Sequence, residues 1–178
     1  EYSESAAPMY FDLNTDGSGY EAIIAPVGGH RKPFQSEHAI AHKGEDGFWR
    51  SDLDLILDGP AIISFSTRRV PPMVENLLEY AGIAKDEVDH FVFHQANRMI
   101  NETIRKKLGL PEGKVPSTLR EFGNTSGASL PVTVTVCLRD ALAKGRTRLL
   151  LCGFGVGLSW GGVIVDVEGA VFPELIVS

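Results

Sequence analysis

The segment Gly153-Phe154-Gly155-Val156-Gly157 constrains this chain more than any other. It follows one apolar run, Arg148 to Cys152, and precedes a second, Val163 to Val167. Both runs are short and rich in branched residues, so both read as strands. Dense glycine between them permits close backbone approach and exposed N–H groups. A dinucleotide-binding loop needs a helix directly after its glycines. None follows here, because Trp160 to Val167 reads as a strand. The two strands are close enough to form a hairpin.

Upstream, strand and helix signals alternate. Met9 to Leu13 and Ala22 to Pro26 read as short strands, separated by the turn formers Asp16-Gly17-Ser18-Gly19. A second tight turn, Gly28-Gly29-His30, opens a polar, irregular surface excursion over residues 30–50. From Pro60 to Tyr80 the spacing of Val74, Leu77, Leu78 and Ala81 is helical, and Gly82 is a stop signal. Pro71-Pro72 predicts either a kink or a junction of two helices. His90 to Phe93 reads as a buried strand after the short connector Lys85 to Val88. Asn97 can cap a helix that runs to Leu108 with Ile100, Ile104 and Leu108 as its apolar stripe, ended by Gly109. Residues 128–144 alternate like a strand at Val132, Val134, Val136 and Leu138, but Leu142-Ala143-Lys144-Gly145 resembles a helix end and favours helix. The expected order is β, β, α, β, α, α, β, β. That order predicts one α/β domain over residues 1–178: a layered structure with a mixed, mostly parallel five-stranded sheet flanked by helices.

Composition removes several classes of function. The 178 residues carry a formal net charge of −6, which argues against nucleic-acid binding. No apolar run is long enough to cross a bilayer. The start, Glu1-Tyr2-Ser3-Glu4-Ser5, has neither the basic nor the apolar stretch of a signal peptide. It also lacks an initiator Met, so the chain is expected to be processed, trimmed or partial. The only cysteines, Cys137 and Cys152, form no CxxC pair and have no His cluster beside them. A metal site or disulfide framework is therefore not expected, and a reducing cytoplasmic setting is.

Four features could carry chemistry. His94-Gln95-Ala96-Asn97 follows a strand, at the carboxyl end where open α/β sheets bind ligands. His94 there can exchange protons or donate to an oxyanion, or else cap the next helix or satisfy a buried backbone group. Phe122-Gly123-Asn124-Thr125-Ser126-Gly127-Ala128-Ser129 is a loop of small polar residues. Asn124 offers an amide donor to a carbonyl oxygen that gains charge, while plain turn chemistry with Ser126 as a helix cap explains the same residues. The glycine hairpin is the third. The fourth is the basic set Arg98, Arg105, Lys106 and Lys107, which fits phosphates or an acidic carrier as well as it fits a solvated helix face.

These pieces occur together and in order. His94-Gln95-Ala96-Asn97, Gly123-Asn124-Thr125-Ser126 and Gly153 to Gly161 resemble the C-terminal half of β-ketoacyl-acyl-carrier-protein synthase III, a thiolase-superfamily condensing enzyme. Leu57-Asp58-Gly59-Pro60-Ala61 and Asp16 to Gly19 resemble it more loosely, so the likeness spans about residues 10–167. The resemblance implies a subunit about twice this long, folded as two similar halves, whose acylated Cys lies in the N-terminal half. Cys137 and Cys152 match no such nucleophile and are expected to be small apolar core residues.

The resemblance further implies that the complete enzyme takes an acyl group from a CoA thioester onto that Cys. It then condenses the group with malonyl-carrier protein, losing carbon dioxide, and uses no separate cofactor. His94 and Asn124 would bond the malonyl thioester oxygen, and the Val156 N–H would join the oxyanion hole for acylation. Ala96, Asn97 and the Gly59 region would meet the pantetheine or CoA arm, and the basic set would meet the carrier protein. Partners implied are acyl carrier protein, acyl-CoA, the missing half and a second subunit. Some positions depart from the family: Pro60 and Ser64 stand where it often has Asn and a basic residue. Met99 stands where it has a basic residue, with Arg98 one place early, and the tail Gly169 to Ser178 runs past its usual end. A condensing or acyl-transfer enzyme of polyketide metabolism and a non-catalytic partner-binding half-domain remain the competing expectations.

Overall fold

A computed structural model describes residues 6–175. The expectation for Glu1 to Ser5, and the end of the tail at residues 176–178, lie outside the described residues.

Strand β1 is Tyr10–Thr15. The short strand β2, Ile23–Ile24, leads into the excursion, where β3 (His42–Lys43) pairs with β4 (Trp49–Arg50). Strand β5, Ile56–Leu57, returns to pair with β2. Helix α1, Gly59–Ala81, follows, with Asp58 as its cap: the Asp58 carboxylate accepts the Ala61 N–H at 2.9 Å. It stops at Gly82, which takes the left-handed conformation at φ 65°. Strand β6 is His90–Phe93, and helix α2 is Arg98–Lys107. Helix α3, Leu119–Phe122, is a single turn. Helix α4 (Ser129–Thr133), a π-helical segment (Val134–Leu138) and helix α5 (Arg139–Leu142) succeed one another without a break. Strands β7 (Thr147–Gly155) and β8 (Ser159–Val167) are the last two strands among the described residues.

The main sheet has four strands in the order β1-β8-β7-β6. This corrects the expected five-stranded, mostly parallel sheet. Only β6 and β7 run parallel; β7 pairs with β8, and β8 with β1, antiparallel. The hairpin reverses the chain after β7, so β8 lies antiparallel to β7, and β1 pairs antiparallel along the other edge of β8. The expected strand around Ile23 lies outside this sheet, in the small β2–β5 pair. Gly153 to Gly155 belong to β7, and the turn is shorter than the glycine run, covering residues 156–158.

Side chains of β7 alternate between two cores. Leu150, Cys152 and Phe154 join Ile164 beneath α1 and α2. Leu149 and Leu151 meet Val92, Val134, Leu138 and Leu142 on the opposite face. The stripe Val134, Leu138, Leu142 repeats every four residues, a spacing that the wider π turn accommodates. That register leaves Cys137 exposed, with Sγ 3.9 Å from the Ser117 carbonyl oxygen, so it is not the core residue expected. Cys152 is buried as expected, and both thiols are free.

Pro71 and Pro72 neither split α1 nor divide it into two helices. Proline removes the N–H that would bond the carbonyl four residues earlier. For Pro71 that carbonyl belongs to Thr67, and Lys107 Nζ of α2 donates to it at 2.9 Å. Of the two acceptors that Pro71 and Pro72 leave vacant on α1, the Thr67 carbonyl is thus filled from the neighbouring helix.

Candidate active site

Strand β6 delivers His94. Its N–H donates to the Cys152 carbonyl at 2.8 Å, which continues the parallel ladder one residue past β6 and fixes where the ring emerges. The half-buried imidazole meets the Phe154 ring edge-to-face, with centroids 5.3 Å apart. Its Nδ1 lies 2.8 Å from Ser129 Oγ. Burial lowers the pKa of His94 below the ordinary value of 6.5, opposed by backbone hydrogen bonding at Ser126.

Asn124 lies across from it in the loop before α4. Its side-chain oxygen accepts the Ser126 N–H at 2.9 Å, an Asx turn that leaves the amide nitrogen free to donate. Ser126 has φ 53° and sits in a separate turn, so it does not cap the helix; Ser129 begins α4.

His94, Asn124, Ser126 and the hairpin residues Gly155 and Val156 line one cavity of about 1020 Å³. Leu13, Ile23, Leu57 and Trp160 also line it, so its wall is mostly apolar with a smaller set of polar side chains. Phe11 and Leu13 of β1 are 55% and 79% exposed there, because the helical layer of residues 129–142 covers only part of this sheet face.

Gly59, Ala96 and Asn97 are not among the cavity's lining residues. Gly59 opens α1, and Ala96 packs on the core. Asn97 caps α2, its side-chain oxygen accepting the Ile100 N–H at 2.9 Å. The basic set divides. Arg105 is tied to Glu102 (2.9 Å) and to the Leu110 carbonyl (2.7 Å), and Lys107 to Thr67. Arg98 and Lys106 are exposed and make no ion pair among the described residues. Ser129, the partner of His94, carried no separate signal beyond its place in the small-polar loop.

Neither thiol is prepared for attack. The Cys152 thiol is pushed up strongly by complete burial. That of Cys137 is also pushed up, by lost hydration first and then by the Glu121 charge. Among the described residues no group of three or more His, Cys, Asp or Glu could hold a metal ion, and no helix is long and apolar enough to cross a membrane.

A mixed sheet between helical layers, with a histidine at a strand's carboxyl end and a glycine hairpin beside it, is a thiolase-like arrangement. The model for the family described as 3-oxoacyl-[acyl-carrier-protein] synthase III C terminal matches residues 78–167, and the chain belongs to that family. The beta-ketoacyl-[acyl-carrier-protein] synthase III of Streptococcus gordonii is 37% identical over 155 residues, covering 86% of this chain and 44% of that protein. The same-named protein of Streptococcus equi subsp. zooepidemicus is 34% identical, covering 94% and 49%. The crystal structure of a 3-oxoacyl-(acyl-carrier protein) synthase from Burkholderia xenovorans superposes with a TM-score of 0.83 at 38% identity, covering 94% of this chain and 46% of that one. The chain thus spans about half the length of the curated relatives it matches.

Proposed function

We propose that this chain supplies the C-terminal half of a decarboxylating condensing site, of the 3-oxoacyl-[acyl-carrier-protein] synthase III type, in fatty acid synthesis. The observation that carries the reading is a shared wall: His94, Asn124 and the hairpin turn face one cavity at the carboxyl ends of β6 and β7. The acyl group comes from a CoA thioester and rests on a Cys of the other half. The second substrate is a malonyl thioester on acyl carrier protein. As its carboxylate leaves as carbon dioxide, negative charge grows on the thioester oxygen. The His94 ring and the Asn124 amide donate to that oxygen, while the Val156 N–H serves the oxyanion of acylation. No cofactor beyond the two thioester substrates takes part.

The other half seats on the bare face of β1, where exposed Phe11 and Leu13 form the kind of patch that marks an interface. Gly59, Ala96 and Asn97 flank the pantetheine arm from outside the cavity. Of the basic set, Arg98 and Lys106 are the charges still available to an acidic carrier protein. The complete enzyme works as a cytoplasmic homodimer.

The test separates two half-reactions in the complete enzyme. Asn124→Ala is expected to leave acyl-enzyme formation intact by mass, and to cut carbon dioxide release from the malonyl thioester by about 10²–10³-fold. Equal loss of both, with the fold preserved, overturns the reading.

A further inference from the structure

A buried polar chain runs from helix α4 to the loop after β6. Ser129, Thr133, Thr118 and Gln95 are each 2% exposed or less. Each hydroxyl has a single hydrogen, which fixes the directions. Thr133 Oγ1 spends its hydrogen on the Ser129 carbonyl at 2.8 Å. In the 2.8 Å contact between Thr118 and Thr133 hydroxyls, Thr118 is therefore the donor. The Thr118 N–H and the Ser117 hydroxyl donate to Gln95 Oε1 at 3.1 and 2.9 Å. Gln95 Nε2 donates to the Phe93 carbonyl at 2.8 Å. Every link but one then has a fixed direction.

The remaining link is Ser129 Oγ to His94 Nδ1, at 2.8 Å. Among the described residues the Ser129 hydroxyl has no other hydrogen-bond partner. A buried hydroxyl hydrogen left without an acceptor costs about 1–3 kcal/mol. The hydroxyl therefore donates, and Nδ1 accepts. An imidazole that accepts at Nδ1 is neutral and carries its proton on Nε2. With Nδ1 taken by Ser129, Nε2 carries the ring's proton, in the cavity that His94 lines together with Ser126.

We propose that Ser129 is a positioning residue for His94: its buried hydroxyl fixes the imidazole in the Nε2–H form, so that His94 meets its substrate as a hydrogen-bond donor and not as a base. The proposal rests on the condensing reading for its meaning. Thr133, Thr118 and Gln95 hold Ser129 and the His94 loop at one separation, so the setting belongs to the fold and does not wait for substrate.

Nitrogen-15 NMR of the histidines reads the proton's place directly, whatever the turnover. The whole protein is labelled at its histidine rings and observed at about pH 8, above the usual histidine pKa. His94→Gln identifies the signals by their loss. A protonated Nε2 and an unprotonated Nδ1 are expected for His94. Ser129→Ala should shift the ring toward a mixture with the Nδ1–H form, and Ser129→Thr, which keeps a hydroxyl, should restore the parent pattern. A proton on Nδ1 in the parent protein overturns the proposal, and so does a folded Ser129→Ala protein with an unchanged His94 pattern. If Ser129→Ala does not fold, the parent and Ser129→Thr spectra decide. Because the measurement needs no catalysis, its failure is distinct from failure of the condensing reading, which the Asn124→Ala half-reactions test.

Discussion

Asn101, seven residues beyond His94, reaches back to hold it: Asn101 Nδ2 donates to the His94 carbonyl at 3.1 Å. Asn101 lies on the buried face of α2 and is 8% exposed, so the bond is shielded from water. Asn101→Ala should cost about 1–2 kcal/mol, from the lost bond and the small cavity left behind. Urea unfolding checks it. An unchanged midpoint would mean that the tether contributes nothing to stability.

Gly161 is required by strand pairing, not by its own backbone freedom. A β-carbon there would stand 2.9 Å from the Asp12 carbonyl oxygen and 2.7 Å from Leu13 Cδ2. The Leu13 side chain can turn away, but the Asp12 backbone can move only if β1 shifts from β8. Gly161→Ala is expected to destabilise the protein by about 1–3 kcal/mol. It should also speed amide exchange along β1 ahead of the other strands. Parent-like exchange along β1 would refute this account.

Asp166 should make stability sensitive to acid. Its carboxyl is held below the ordinary 3.8 by hydrogen bonds from Arg148 first and Arg146 next, against the opposing effect of burial. A depressed carboxyl contributes fully above the unfolded pKa and loses that contribution as pH falls through the folded value. The stability gap between the parent and Asp166→Asn should therefore be widest above about pH 5 and close toward about pH 2. Urea midpoints across that range decide it, and a gap that grows in acid would show the sign to be wrong.

Residues 1–178 alone should form no acyl-enzyme. Cys152 is fully buried, and both thiols have raised pKa values, so little thiolate exists near neutral pH. Incubation with radiolabelled acetyl-CoA should leave the protein unlabelled. Stoichiometric label on Cys137 or Cys152 would contradict the assignment of the nucleophile to the other half.

Helix α2 was legible almost residue by residue, because Asn97, the Ile100–Ile104–Leu108 stripe and Gly109 are local signals that agree. The hairpin was legible for the same reason. Sheet order was not: β1 joins β8 across some 150 positions through backbone bonds that leave no mark in side-chain periodicity. The exposure of Cys137 depends on a π turn, which no spacing in residues 128–144 separates from an ordinary helix. At the site, His94 stood out at the end of an apolar run, whereas Asn124 lies in a small-polar loop that turn chemistry explains equally well and was singled out only by the resemblance of the ordered motifs to a known family. Ser129 stayed hidden, since a serine at a helix start is also expected as simple capping.

The bond from Lys107 to the Thr67 carbonyl makes two helices answer for one defect. A helix with prolines at its middle is a natural place for a protein to open locally, since the turn before them has lost its own closure. Here one of the freed carbonyls of that turn is bound by the last residue of α2, which is also the helix that carries Asn101 and starts from the His94 loop. Fraying at the end of α2 would release the weak point of α1, and bending of α1 would pull on α2. The two helices should thus open as one cooperative unit, and a disturbance at the prolines would be felt at His94 before it reached the far edge of the sheet.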